Sequence, residues 1–172
     1  MRTVDVASDI PFSYYSVVVN RRGDVDVAIP DLNTQGLLPP GLYDCTLNEV
    51  RDKFGRFKGT EQRQSLFEKL SAFIHDATQT GMVKSIIIDG SFVTSKDSPA
   101  DIDLVLEMQL AHNPGTDLRP FEYNVLSKRV VKRLYGFDLF LAGSGSKALA
   151  EWVEYFHQVK PKFPGNFIAF VS

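Results

Sequence analysis

At 172 residues, with 44% hydrophobic and 23% charged side chains, the chain is the size of one globular domain able to bury a sizeable core. A formal net charge of −2 gives no general attraction to nucleic acid or membranes, and a single cysteine, Cys45, excludes an intrachain disulfide framework. No run approaches the roughly 18 apolar residues of a membrane-spanning helix, and Asp5 and Asp9 interrupt any apolar start, so neither a membrane anchor nor a signal peptide is expected. The expectation is a single cytoplasmic domain over 1–172.

In chain order, "YYSVVV" and "VDVAI" flank "NRRGD", which predicts a β-hairpin with its turn at Asn20–Asp24. "LNTQGLLPPGLYD" is rich in turn formers and predicts an ordered wrapping loop, so that residues 1–40 form a hairpin-and-loop extension. Thr46 with Glu49 three residues later is a capping box, opening a short helix that Gly55 ends. A longer helix is predicted from Glu61 to Thr80, capped by Thr60 and closed by Gly81, with Leu66, Leu70, Phe73, Ile74 and Ala77 on one face.

"VKSIIID" then reads as a buried strand and "DIDLVLEM" as a second. "NPGTDLRP" makes a loop, "FEYNVLSKRVVKRLY" a helix and "GFDLFLA" a third strand. "SKALAEWVEYFHQ" forms a last helix with Leu149, Trp152, Val153 and Phe156 inward, and "NFIAFV" an edge strand. This order implies an α+β fold, a mixed β-sheet with helices packed on one face, whose other face is open for a site. The sheet core expected to carry such a site spans residues 83–142.

The chemistry concentrates in "DGSFVTSKDSPADID". Residues two apart on a strand share a face, so Asp101 and Asp103 point one way while Ile102, Leu104 and Leu106 point into the core. Paired carboxylates repel unless a hard cation bridges them, and Mg²⁺ is commonly held by one or two carboxylates plus substrate phosphates. Gly90 permits close approach of backbone to a ligand, Ser91 adds a hydroxyl donor, and a helical turn starting there would offer N–H groups to an anion. Asp138, in the third strand, either ligates a second metal or accepts the proton of an attacking hydroxyl, or else it caps the strand end or pairs with Lys132 or Arg133.

Gly-Ser, nine residues, Asp-Ile-Asp in an apolar strand and a later lone aspartate together resemble the DNA polymerase beta-type nucleotidyltransferases. "GLLPPG" ahead of a helix, followed by "DGSFVT" and "DID", is similar to a small microbial and phage group of nucleotidyltransferase-like proteins. The resemblance implies a nucleotidyltransferase fold, two Mg²⁺ ions and a nucleoside triphosphate donor. Gly90 and Ser91 match the phosphate-binding pair, Asp101 and Asp103 the metal ligands, and Asp138 the third carboxylate. In place of the arginine many small members carry after Gly-Ser, this chain has Phe92-Val93-Thr94 and then Lys96, a candidate triphosphate contact.

The acceptor stays open: a protein side chain, an RNA end or a small molecule. It would be held by the N-terminal segment, by a second copy in a homodimer, or by an antitoxin-type partner. A toxin–antitoxin or phage-defence setting follows by analogy. The competing reading is a nucleotide- or partner-binding module without turnover. Lys128, Arg129, Lys132 and Arg133 form one basic helix face, either the wet side of an amphipathic helix or a seat for a phosphate-rich acceptor. No role in catalysis is expected of His75, His112, His157 or Cys45.

Overall fold

The computed structural model describes residues 15–19, 29–39, 41–109 and 117–157. Among the described residues five strands form one mixed sheet: β1 (Tyr15–Val19), β2 (Gly41–Cys45), β3 (Val83–Asp89), β4 (Asp103–Met108) and β5 (Asp138–Gly143), in the order β2-β1-β3-β4-β5. The pairs β1/β2 and β4/β5 are parallel, while β1/β3 and β3/β4 are antiparallel. The helices are α1 (Leu47–Val50), α2 (Glu61–Gln79), α3 (Pro120–Leu126), α4 (Lys128–Leu134) and α5 (Lys147–His157).

Local signals account for most helix ends. The Thr46 side chain accepts from Glu49 N–H while the Glu49 carboxylate accepts from Thr46 N–H, the reciprocal cap read from the sequence. Past α1 the chain widens into an i→i+5 turn through Gly55. Thr60 caps α2 by accepting from Arg63 N–H. The stretch expected as one helix over "FEYNVLSKRVVKRLY" is two, because Ser127 takes an extended conformation (ψ 110°) and ends α3 before α4 begins.

The main core lies between the sheet and α1–α4. Leu66, Leu70, Phe73 and Ala77 of α2 meet Ile86 and Ile88 of β3 and Leu104 and Leu106 of β4. Tyr135 donates to Asp76 at 2.6 Å and stacks edge-on to Phe73, which ties the end of α4 to α2.

Three expectations are corrected. First, β1 pairs with β2 and β3, neighbours not expected of it; the hairpin expected from the sequence pairs it with 25–28. That segment and the turn Asn20–Asp24 lie outside the described residues, as do "NFIAFV" and His112. Second, helices cover both faces of the sheet. The stripe Leu149, Trp152, Val153 and Phe156 of α5 packs on Ile87, Val105 and Phe140, which face away from the main core. An apolar stripe on a helix must be buried, and this one closes the face expected to be open. Third, β4 starts at Asp103, leaving Asp101 just ahead of the strand. Among the described residues no helix is long and apolar enough to cross a membrane.

Candidate functional site

Alternation along three strands sorts the α5 face into rows. Asp89, Asp103 and Asp138 are direct cross-strand partners, as are Ile87, Val105 and Phe140 one step further. The third row is Ser85, Glu107 and Ala142. The acids thus form a rung at one end of the sheet, beyond the apolar rung that α5 covers.

The rung stands where β3 leaves the sheet. Gly90 adopts φ +82°, ψ −165°, a region open essentially to glycine. A β-carbon there would overlap Asp103 Oδ2, so the glycine lets the turn pass directly against the carboxylate. Ser91 opens a single 3₁₀ turn, Ser91–Val93, and its carbonyl accepts from the Thr94 hydroxyl at 2.8 Å. The Asp89 carboxylate accepts from Gly90 N–H.

Asp101 joins this corner through Lys132 of α4. Its Nζ lies 3.1 Å from Asp101 Oδ2 and 2.9 Å from Asp138 Oδ1. The Asp138 hydrogen bond, with Asp101 adding to it, raises the Lys132 pKa against a partial desolvation. The two acids are 36% and 46% exposed, which keeps each pair in the range of about 1 kcal/mol or less. The alternative reading of Asp138 as a partner of Lys132 therefore describes its present contact, while its register opposite Asp103 suits it to the other role.

The structure thus brings Gly90, Ser91, Asp101, Asp103 and Asp138 to one corner. Lys96 sits further along the same loop with an exposed side chain, and its carbonyl accepts from Arg63. The donor set at the corner is all carboxylate oxygen, the chemistry a hard cation prefers, and a cationic side chain is already seated between two of the acids. Among the described residues no three side chains are gathered closely enough to hold a metal ion as they stand.

Two residues that position the site escaped the sequence reading. Arg63 of α2 is fully buried and donates to the carbonyls of Phe54, Phe92, Thr94 and Lys96 at 2.5–3.1 Å. Its guanidinium packs over the rings of Phe57 and Phe92. Three of those carbonyls belong to the loop after Ser91, so α2 holds that loop in shape. The available signal was helical phase, since Arg63 lies in line with Leu66, Leu70 and Ala77. Asp89, nearly fully buried, is the second; it lies two residues beyond Ile87 on the acid face.

The basic helix face divides. Lys128 lies over Phe140 and Trp152, Lys132 meets the acids, and Arg129 and Arg133 lower the pKa of Tyr123 behind a larger effect of Ser127. Burial pushes the Cys45 thiol up to about 12.

At the far end of the same face, Glu107 accepts from Lys84 Nζ (2.8 Å), Ser144 Oγ (2.6 Å) and Ser85 Oγ (2.5 Å). Burial alone would raise its pKa, but the three donors and the Lys84 charge outweigh burial and hold it below the usual range. Stability from this group is full above the unfolded value of about 4.3 and is lost as pH falls through the lower folded value. Glu107→Gln is expected to cost about 1–2 kcal/mol at pH 7. The gap to the wild type should narrow toward pH 3, read from urea unfolding at both pH values.

An α+β domain with a mixed sheet and a carboxylate rung beside a glycine turn is what fold and site define. The model of the Family of unknown function (DUF6932) matches residues 30–168, and the chain belongs to that family. No curated protein and no solved structure matches the chain.

Proposed function

We propose that the chain is a Mg²⁺-dependent nucleotidyltransferase with the nucleotidyltransferase fold, acting in the cytoplasm. It would move a nucleoside monophosphate from a nucleoside triphosphate to a hydroxyl of a protein, an RNA end or a small molecule. The observation carrying this reading is the pairing of Asp103 with Asp138 on adjacent strands, beside the Gly90–Ser91 turn, with Asp101 joined to the same corner through Lys132.

In this reading Asp101, Asp103 and Asp138 would hold two Mg²⁺ ions, which would supply charge neutralisation for the phosphates. The Ser91 hydroxyl and the backbone of 90–92 hold the β- and γ-phosphates, and Lys96 approaches them from the loop. Asp138 takes the acceptor proton as the hydroxyl oxygen bonds to the α-phosphorus. The bond from that phosphorus to the bridging oxygen breaks, and pyrophosphate leaves. Positioning by rigid strand ends supplies much of the rate. A second copy or an antitoxin-type partner would complete the acceptor side, in a toxin–antitoxin or phage-defence role.

Asp103→Ala is expected to lower label transfer from α-labelled ATP by about a thousandfold or more, at unchanged melting temperature. Full activity in that variant refutes the assignment. ATP and Mg²⁺ that raise the melting temperature without pyrophosphate release over a broad acceptor panel would instead mark a binding module, a reading that the Lys132 ion pairs also accommodate.

A further inference from the structure

We propose that Lys132 is the resident counterion of the acid corner and is displaced when a divalent cation binds, so that its two ion pairs set the cation affinity of the site. This rests on the reading above and concerns the regulation of the same site.

The ammonium lies 3.1 Å from Asp101 Oδ2 and 2.9 Å from Asp138 Oδ1, between two of the three carboxylates assigned to the cation. A divalent ion bound to those oxygens would face a positive charge a few ångströms away, which disfavours joint occupancy. Neighbouring cationic side chains do not fill this role. Lys128 lies over the Phe140 and Trp152 rings, and Arg129 hydrogen-bonds Tyr123.

Leaving is cheap for Lys132. Its side chain is 48% exposed, and pairs of that exposure are weak. The helix does not depend on it, since Val130 and Val131 on the opposite side of α4 are buried. The device neutralises part of the charge on Asp101 and Asp138 in the metal-free protein. It also biases the site against a bare cation, in favour of one arriving with a triphosphate whose charge receives the freed ammonium.

The test is Mn²⁺ titration of the full chain, followed by the paramagnetic resonance signal of free Mn²⁺, for the wild type, Lys132→Met, Lys132→Arg and the double variant Lys132→Met/Asp103→Asn. Lys132→Met is expected to bind Mn²⁺ about tenfold more tightly or better, Lys132→Arg to stay within about threefold of the wild type, and the double variant to lose the gain. Should Lys132→Met melt below the assay temperature, Lys132→Gln carries the same expectation, and loss of fold in both overturns the proposal by making the lysine a structural tie. Equal or weaker Mn²⁺ affinity in Lys132→Met, with binding measurable in the wild type, overturns the counterion role and leaves the transferase reading standing. No Mn²⁺ binding in any variant, with or without ATP, overturns both.

Discussion

Arg63→Met is expected to lower the stability of the fold by about 4 kcal/mol and to loosen the loop that follows Ser91. The guanidinium satisfies four backbone carbonyls, those of Phe54, Phe92, Thr94 and Lys96, from a fully buried position. Removing a buried charge is favourable by itself, and desolvation does depress the Arg63 pKa. Methionine, however, leaves four acceptors without that donor, at about 1 kcal/mol or more each, and the sum outweighs the relief. Lysine would fare little better, because one ammonium cannot reproduce a planar fork reaching carbonyls from two segments. Urea unfolding measures the effect, and a loss under about 1 kcal/mol would show that the loop finds other donors.

Gly90→Ala should damage both fold and chemistry. The backbone at φ +82°, ψ −165° costs a non-glycine residue about 1–3 kcal/mol. Its β-carbon would in addition overlap the Asp103 carboxylate, so one of the two must move. A total of about 2–4 kcal/mol is expected, with label transfer falling toward the level of Asp103→Ala. Gly81→Ala is the control: Gly81 also has positive φ (+70°), but a β-carbon there meets nothing within 4 Å. It should lose about 1 kcal/mol and keep activity. Equal behaviour of the two variants would remove the carboxylate overlap from the argument.

Local devices were legible in the sequence: the Thr46–Glu49 box, the Thr60 cap and the inward Ile102, Leu104 and Leu106, all buried. Pairing partners were not. The parallel contact of β1 with β2 and its insertion beside β3 bring together residues far apart in sequence, which no short-range pattern encodes. The stripe on α5 announced that it would be buried, but not on which side of the sheet. At the site, the Gly-Ser and Asp-x-Asp spacing located the corner. It could not reveal Arg63, whose role depends on a loop some thirty residues away, nor that Lys132, offered there as a partner of Asp138, also reaches Asp101.

Asp103 and Asp138 face each other across neighbouring parallel ladders, with Leu104 opposite Leu139 in the following step. Their mutual distance is therefore governed by the interstrand repeat of about 4.8 Å rather than by flexible stems. Sliding β5 along β4 by a single step would bury Asp138 against hydrocarbon and expose Leu139 in its place. The spacing of these two acids is thus guarded by the whole hydrocarbon layer beneath them, and tuning it by evolution or design means unzipping the sheet first.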